Sequence, residues 1–107
     1  MCAPYNNLLH SPLTTYAFEA LAVGATSVGF TAATYAPTGA GPALAAFVTV
    51  EGSAIRYRTD DTDTTATVGV LVQPGERFIV WGSNDIRDVE FISAGGGSAT
   101  LSTEYAR

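Results

Sequence analysis

The sequence predicts an all-β chain: one antiparallel β-sandwich, of jelly-roll or immunoglobulin-like type, behind an extended N-terminal arm. Three observations lead there. Short apolar or alternating runs recur about every ten residues, separated by turn residues. The composition is that of strands and tight turns, with 11 glycines, many Ala, Thr and Val, and only 14% charged residues. The stretch Ile55–Val72 reads as two strands joined by an acidic, threonine-rich turn. A chain of 107 residues is one domain with a modest core.

The arm is assigned to residues 1–14 and the sandwich to residues 15–107. Pro4 and Pro12 remove backbone donors and interrupt regular pairing. Tyr5, Leu8, Leu9 and Leu13 are too apolar for a free tail. They either pack back on the domain or dock on a partner.

Eight strands are expected, in order. Tyr16–Leu21 alternates loosely and ends near the Gly24-Ala25 break. Ser27–Thr31 is a second strand, and Tyr35–Pro42 a loop on its Gly and Pro content. Leu44–Glu51 is the strongest buried strand, with Ala46, Val48 and Val50 on one face and Ala45, Phe47 and Thr49 on the other. Ala40–Val50 is alanine-rich, but its β-branched end favours strand over helix. Gly52-Ser53 then turns the chain into Ile55–Thr59. There Ile55, Tyr57 and Thr59 face one way and Arg56 and Arg58 the other. Val68–Val72 and Arg77–Trp81 flank Pro74-Gly75 and are expected to form a second hairpin. Gly82–Asp85 is a turn, Asp88–Ile92 a strand with Val89 and Phe91 inward, and Gly95–Ser98 a flexible turn. Thr100–Tyr105 closes the fold with Leu101, Thr103 and Tyr105 on one face.

Charge narrows the function classes. The net charge is −5, and all five basic residues are arginines: Arg56, Arg58, Arg77, Arg87 and Arg107. An acidic chain without a basic stripe argues against nucleic acid and against an anionic membrane surface. Arginine without lysine suits fixed planar ion pairs at contacts, or reflects the base composition of the source genome. If Arg56 and Arg58 share a sheet with Asp88 and Glu90, they pair across strands. If not, they form complementary patches for a neighbouring subunit. No basic start, apolar leader or membrane-length stretch is visible, so synthesis in the cytosol is expected.

Chemistry-bearing constellations are sparse. One Cys and one His exclude zinc and iron–sulfur spacing. Cys2 is either a free terminal thiol or an intermolecular disulfide partner. The turn Asp60-Asp61-Thr62-Asp63 is the best metal candidate, yet its spacing departs from a calcium loop, and a solvated structural turn is the expectation. His10 sits beside Ser11 without a nucleophile elbow or oxyanion signature, so neither catalysis nor a cofactor is expected. Gly95–Ser98 lacks the lysine of a phosphate loop. Trp81 is either a core residue, the commoner fate of a strand aromatic, or an exposed platform of the kind that stacks on sugar rings.

Several segments carry a resemblance: Val23–Tyr35, Phe47–Glu51, Ile55-Arg56-Tyr57-Arg58-Thr59-Asp60 and Thr65-Ala66-Thr67-Val68-Gly69. Together they resemble a family of small tailed-bacteriophage virion structural proteins, over roughly residues 20–106. Thr64 or Thr65 stands where that family commonly has proline, and Pro74-Gly75-Glu76 supplies the later turn. The resemblance implies a non-enzymatic virion protein, foremost a capsid decoration or cement protein. Its expected partners are the major capsid protein or other virion proteins, and it is expected to be a homo-oligomer in the particle. A neck, tail or fibre-attachment component is the alternative. A weaker likeness links the hairpin to appended sandwich domains of chitin-degrading enzymes, although the Gly of their Tyr-Thr-Asp-Gly hairpin is missing after Asp60. It keeps a carbohydrate-binding module as a competing expectation. Tyr5, Leu8, Leu9, Leu13, Arg56 and Arg58 are the expected partner contacts.

Overall fold

A computed structural model describes residues 13–39 and 41–107. Among the described residues, seven strands and two short helices follow one another. They are β1 (Thr15–Val23), α1 (Ala32–Tyr35), β2 (Ala45–Glu51), β3 (Ile55–Arg58), β4 (Val70–Val72), β5 (Arg77–Trp81), α2 (Ser83–Asp88), β6 (Glu90–Ser93) and β7 (Ala99–Ala106). The chain is mostly β. All its strand pairs are antiparallel, in a four-stranded sheet of order β1-β7-β2-β5 and a three-stranded sheet of order β4-β3-β6.

Period-two alternation builds the shared core. Leu101, Thr103 and Tyr105 of β7 are fully buried, as are Val48 and Val50 of β2, and they meet Leu21 and Val23 of β1. The smaller sheet contributes Ile55, Val72 and Phe91 to the same cluster. Tyr57 of β3 stacks on Phe78 of β5 with ring centroids 4.8 Å apart, joining the two sheets. Phe30 packs edge-on against Phe91 and Tyr105. Each large apolar side chain so buried contributes about 1.5–3 kcal/mol.

Three expectations are corrected. Ser27–Thr31 is not a strand: Val28 makes a single antiparallel bridge to Phe91, with backbone bonds of 2.9 and 2.8 Å. The chain then forms the short helix α1 from Ala32, and beyond its last residue, Tyr35, it runs as the expected loop toward Pro42. Gly29 lies so close to β6 that a Cβ there would meet the Val89 carbonyl at 3.1 Å. The expected turn at Gly82–Asp85 and the start of the next strand at Asp88 are instead the helix α2, anchored by the fully buried Ile86. The hairpin expected between Val68–Val72 and Arg77–Trp81 does not form. Gly75 N–H donates to the Val50 carbonyl (2.7 Å) and Val50 N–H to the Glu76 carbonyl (3.0 Å), so the Pro74-Gly75 turn carries the chain across to β2. β5 therefore pairs with β2 in the other sheet. Of the two places left open for Trp81, it takes the exposed one, because Phe78 and Val80 take the inner face of β5.

A half-buried polar lock ties β1 to β7. Glu19 lies on the inner face of β1, where a carboxylate must find donors. Tyr105 Oη donates to Glu19 Oε1 (2.6 Å), and the Thr31 hydroxyl donates to Oε2. Burial first, and the Glu19 carboxylate second, push the Tyr105 hydroxyl far above its ordinary pKa. Nearby, Tyr16 Oη donates to the Tyr35 carbonyl (2.5 Å), and the Arg107 guanidinium lies 3.9 Å above the Tyr16 ring.

Candidate functional site

Two exposed regions stand out, each fixed by strand alternation. The first is the outer face of the larger sheet. Inward Leu101, Thr103 and Tyr105 force Ser102 and Glu104 outward. Inward Ala46 and Val48 likewise force out Phe47 and Thr49, and inward Val80 forces out Ile79 and Trp81. Strand register then sets two rows across the sheet. One row runs Phe18, Glu104, Phe47, Ile79, and the next runs Ala20, Ser102, Thr49, Arg77. Phe18 is 60% exposed and Trp81 58%. Phe47 meets Trp81 edge-on with centroids 6.4 Å apart.

These rows enclose an open groove of about 690 Å³, lined by Phe18, Phe47, Ile79, Arg77, Ser102 and Glu104 among others. Ser102 Oγ donates to Glu51 Oε2 at 2.6 Å. Among the described residues, neither the Arg77 nor the Glu104 side chain has a hydrogen-bond or ion-pair partner. The groove thus offers aromatic faces, one carboxylate acceptor, one guanidinium donor and hydroxyls that do both.

The second region is the β3–β4 hairpin. β4 is an edge strand, paired only with β3 among the described residues. Val68, Val70 and Leu71 are all exposed there. The loop between the strands is held by local bonds. Arg56 donates through Nε to the Ala66 carbonyl and through Nη1 to the Gly69 carbonyl, both at 3.0 Å. Thr65 Oγ1 accepts from Val68 N–H at 3.0 Å, and the Thr64 hydroxyl donates to the Val68 carbonyl. Arg58 forks onto Asp60, at 3.1 and 2.5 Å. The hydrogen bond from Arg58, and next to it the guanidinium charge, hold the Asp60 carboxyl below its usual range.

The expected contact residues are therefore divided. Tyr5, Leu8 and Leu9 lie outside the described residues, as do Cys2 and His10. Leu13 is described and exposed, and next to it Thr14 exchanges backbone hydrogen bonds with Arg107 (3.1 and 3.2 Å). Arg56 and Arg58 do share a sheet with Glu90, yet both are engaged within their own hairpin. Glu90 instead accepts from Ser27 (2.9 Å), and Asp88 pairs with Arg87 (2.8 Å). The Asp60–Asp63 turn gathers no set of three metal-ligating side chains among the described residues. The groove escaped the sequence because Phe18 and Glu104 meet only through the β1–β7 register. Trp81 was the one signal of it. No protein-family model matches the chain, and neither a curated protein nor a solved structure matches it.

Proposed function

We propose that the two sheets form a jelly-roll sandwich and that the chain is a non-enzymatic virion structural protein, foremost a capsid decoration or cement protein. The strand order supports the fold. With the Val28 bridge counted as a reduced second strand, eight positions run along the chain. The first, eighth, third and sixth lie side by side in one sheet, and the second, seventh, fourth and fifth in the other. That interleaving is the two-Greek-key pattern of jelly rolls, which recurs in viral capsid and lectin domains. An immunoglobulin-like arrangement would instead place consecutive strands next to each other in the ABED sheet.

The observation that carries the functional reading is the bare edge of β4. Isolated proteins blunt an edge strand with lysine, proline or a covering loop. Here the edge strand is short, at three residues, and Val70, Leu71 and the neighbouring Val68 stand exposed on it without lysine or proline, as suits a surface that a neighbour covers in an assembly. The apolar arm residues Tyr5, Leu8, Leu9 and Leu13 extend the same proposal, with the major capsid protein or another virion protein as partner. Binding to a folded lattice stabilises a small domain by mass action.

The test has two parts. Mass spectrometry of purified particles of a phage encoding the chain finds it as a stoichiometric component, and immuno-electron microscopy separates a capsid position from a neck, tail or fibre one. A Val70→Lys/Leu71→Lys variant keeps its melting temperature but no longer joins the particle. Absence from the particles, or undiminished incorporation of the variant, overturns the reading.

A further inference from the structure

We infer that the groove on the outer face of the larger sheet is a binding site for a neutral saccharide. This goes beyond the virion reading and does not rest on it. The groove's volume, about 690 Å³, lies within the range of ligand sites, roughly 300–1,000 Å³. Phe18 and Phe47 stand in one row with β7 between their strands, hence about 10 Å apart, a span that fits more than one pyranose ring. Exposed Trp81 extends the aromatic surface beside Phe47. The apolar C–H face of a sugar lies flat on such rings.

The polar groups distinguish a sugar from a protein partner. Glu104 sits between the two rings, and Arg77 and Thr49 lie in the next row with Ser102. Sugar hydroxyls both donate and accept, so Glu104 accepts from one and Arg77 donates to another, and both keep hydrogen bonds when water leaves. An apolar side chain of a protein partner would strip Glu104 and Arg77 of water and leave them unpaired, at a cost. The ligand is neutral because the groove holds one charge of each sign and the chain carries −5.

The experiment titrates the full chain with four neutral hexasaccharides: α-linked glucose, β-linked glucose, mannose and N-acetylglucosamine. It follows the fluorescence of Trp81, the single tryptophan, and isothermal heats. At least one saccharide binds and shifts the Trp81 emission. Phe18→Ala and Glu104→Gln each weaken that binding about tenfold or more with unchanged melting temperature. The inference is overturned if none of the four binds, if binding survives both substitutions, or if only sulfated or sialylated glycans bind. A second copy or another protein seated on this face would equally overturn it. None of these outcomes bears on incorporation of the chain into particles.

Discussion

The outer face of the larger sheet and the β3–β4 hairpin both expose apolar side chains, but they differ in what surrounds those side chains. On the sheet face, Phe18, Phe47 and Ile79 share rows with Glu104 and Arg77, and the backbone beneath is paired across β1, β7, β2 and β5. At the hairpin, Val70 and Leu71 border a strand edge that is unpaired among the described residues, and both nearby arginines are engaged within the hairpin. Arg56 holds the loop carbonyls, and Arg58 holds Asp60. Apolar exposure alone therefore does not name a partner. Polar groups without partners among the described residues, set beside aromatic rings, suit a small polar ligand, whereas a bare edge whose arginines are engaged suits another strand or chain.

A second difference is mechanical. The sheet face rests on a buried core, so its side chains are replaceable without moving the backbone. The hairpin loop rests on its own local bonds, so a small change there alters its shape. The largest expected effect follows at Gly69, whose φ is +135° and whose added Cβ would stand 3.1 Å from the Tyr57 carbonyl. Gly69→Ala lowers stability by about 1–3 kcal/mol in urea denaturation, because it adds backbone strain and a clash at once. An unchanged midpoint would show that the loop is not locked as described.

Next comes Tyr105→Phe, which removes the hydroxyl tied to Glu19 beneath the groove. The expected loss is about 1 kcal/mol at neutral pH, the worth of one buried hydrogen bond. The pH dependence has a definite sign. The Tyr105 pKa is raised on folding, so its contribution is full below the unfolded value near 10.0 and is lost as pH rises above it. The native chain therefore loses stability in alkali more steeply than the Phe variant, measured by melting between pH 8 and 12. Parallel curves would remove Tyr105 from the account.

The smallest effect is at Phe18. Although large and aromatic, it is 60% exposed, so Phe18→Ala changes stability by less than about 0.5 kcal/mol. A loss comparable to a core truncation would mean that the sheet face is structural, and would erase the distinction between the two regions.

Much of the strand content was legible from alternation. Ala46, Val48 and Val50 and the set Leu101, Thr103, Tyr105 face inward as their period requires. So do Ile55 and Tyr57, which leaves Arg56 and Arg58 on the other face. Failures occurred where a residue's partner lies far along the chain. Val28 bridges Phe91, and beside it Gly29 packs against the backbone at Val89, sixty residues later. Glu19 reads as an ordinary strand residue until Tyr105 and Thr31 arrive beside it. The α2 turn hides behind Ser83-Asn84-Asp85, residues equally at home in a turn or at a helix start.

The sequence by itself determined that this chain is built of short strands separated by tight turns, because side-chain period and turn residues are local properties. It also determined the acidic, lysine-free charge. Only the tertiary structure decided that β5 leaves β4 for β2, that Trp81 faces outward, and that Phe18, Phe47, Arg77 and Glu104 gather on one surface. Those outcomes depend on which backbone groups pair across long separations, and register between distant strands is set by the packing of the whole core rather than by any one segment.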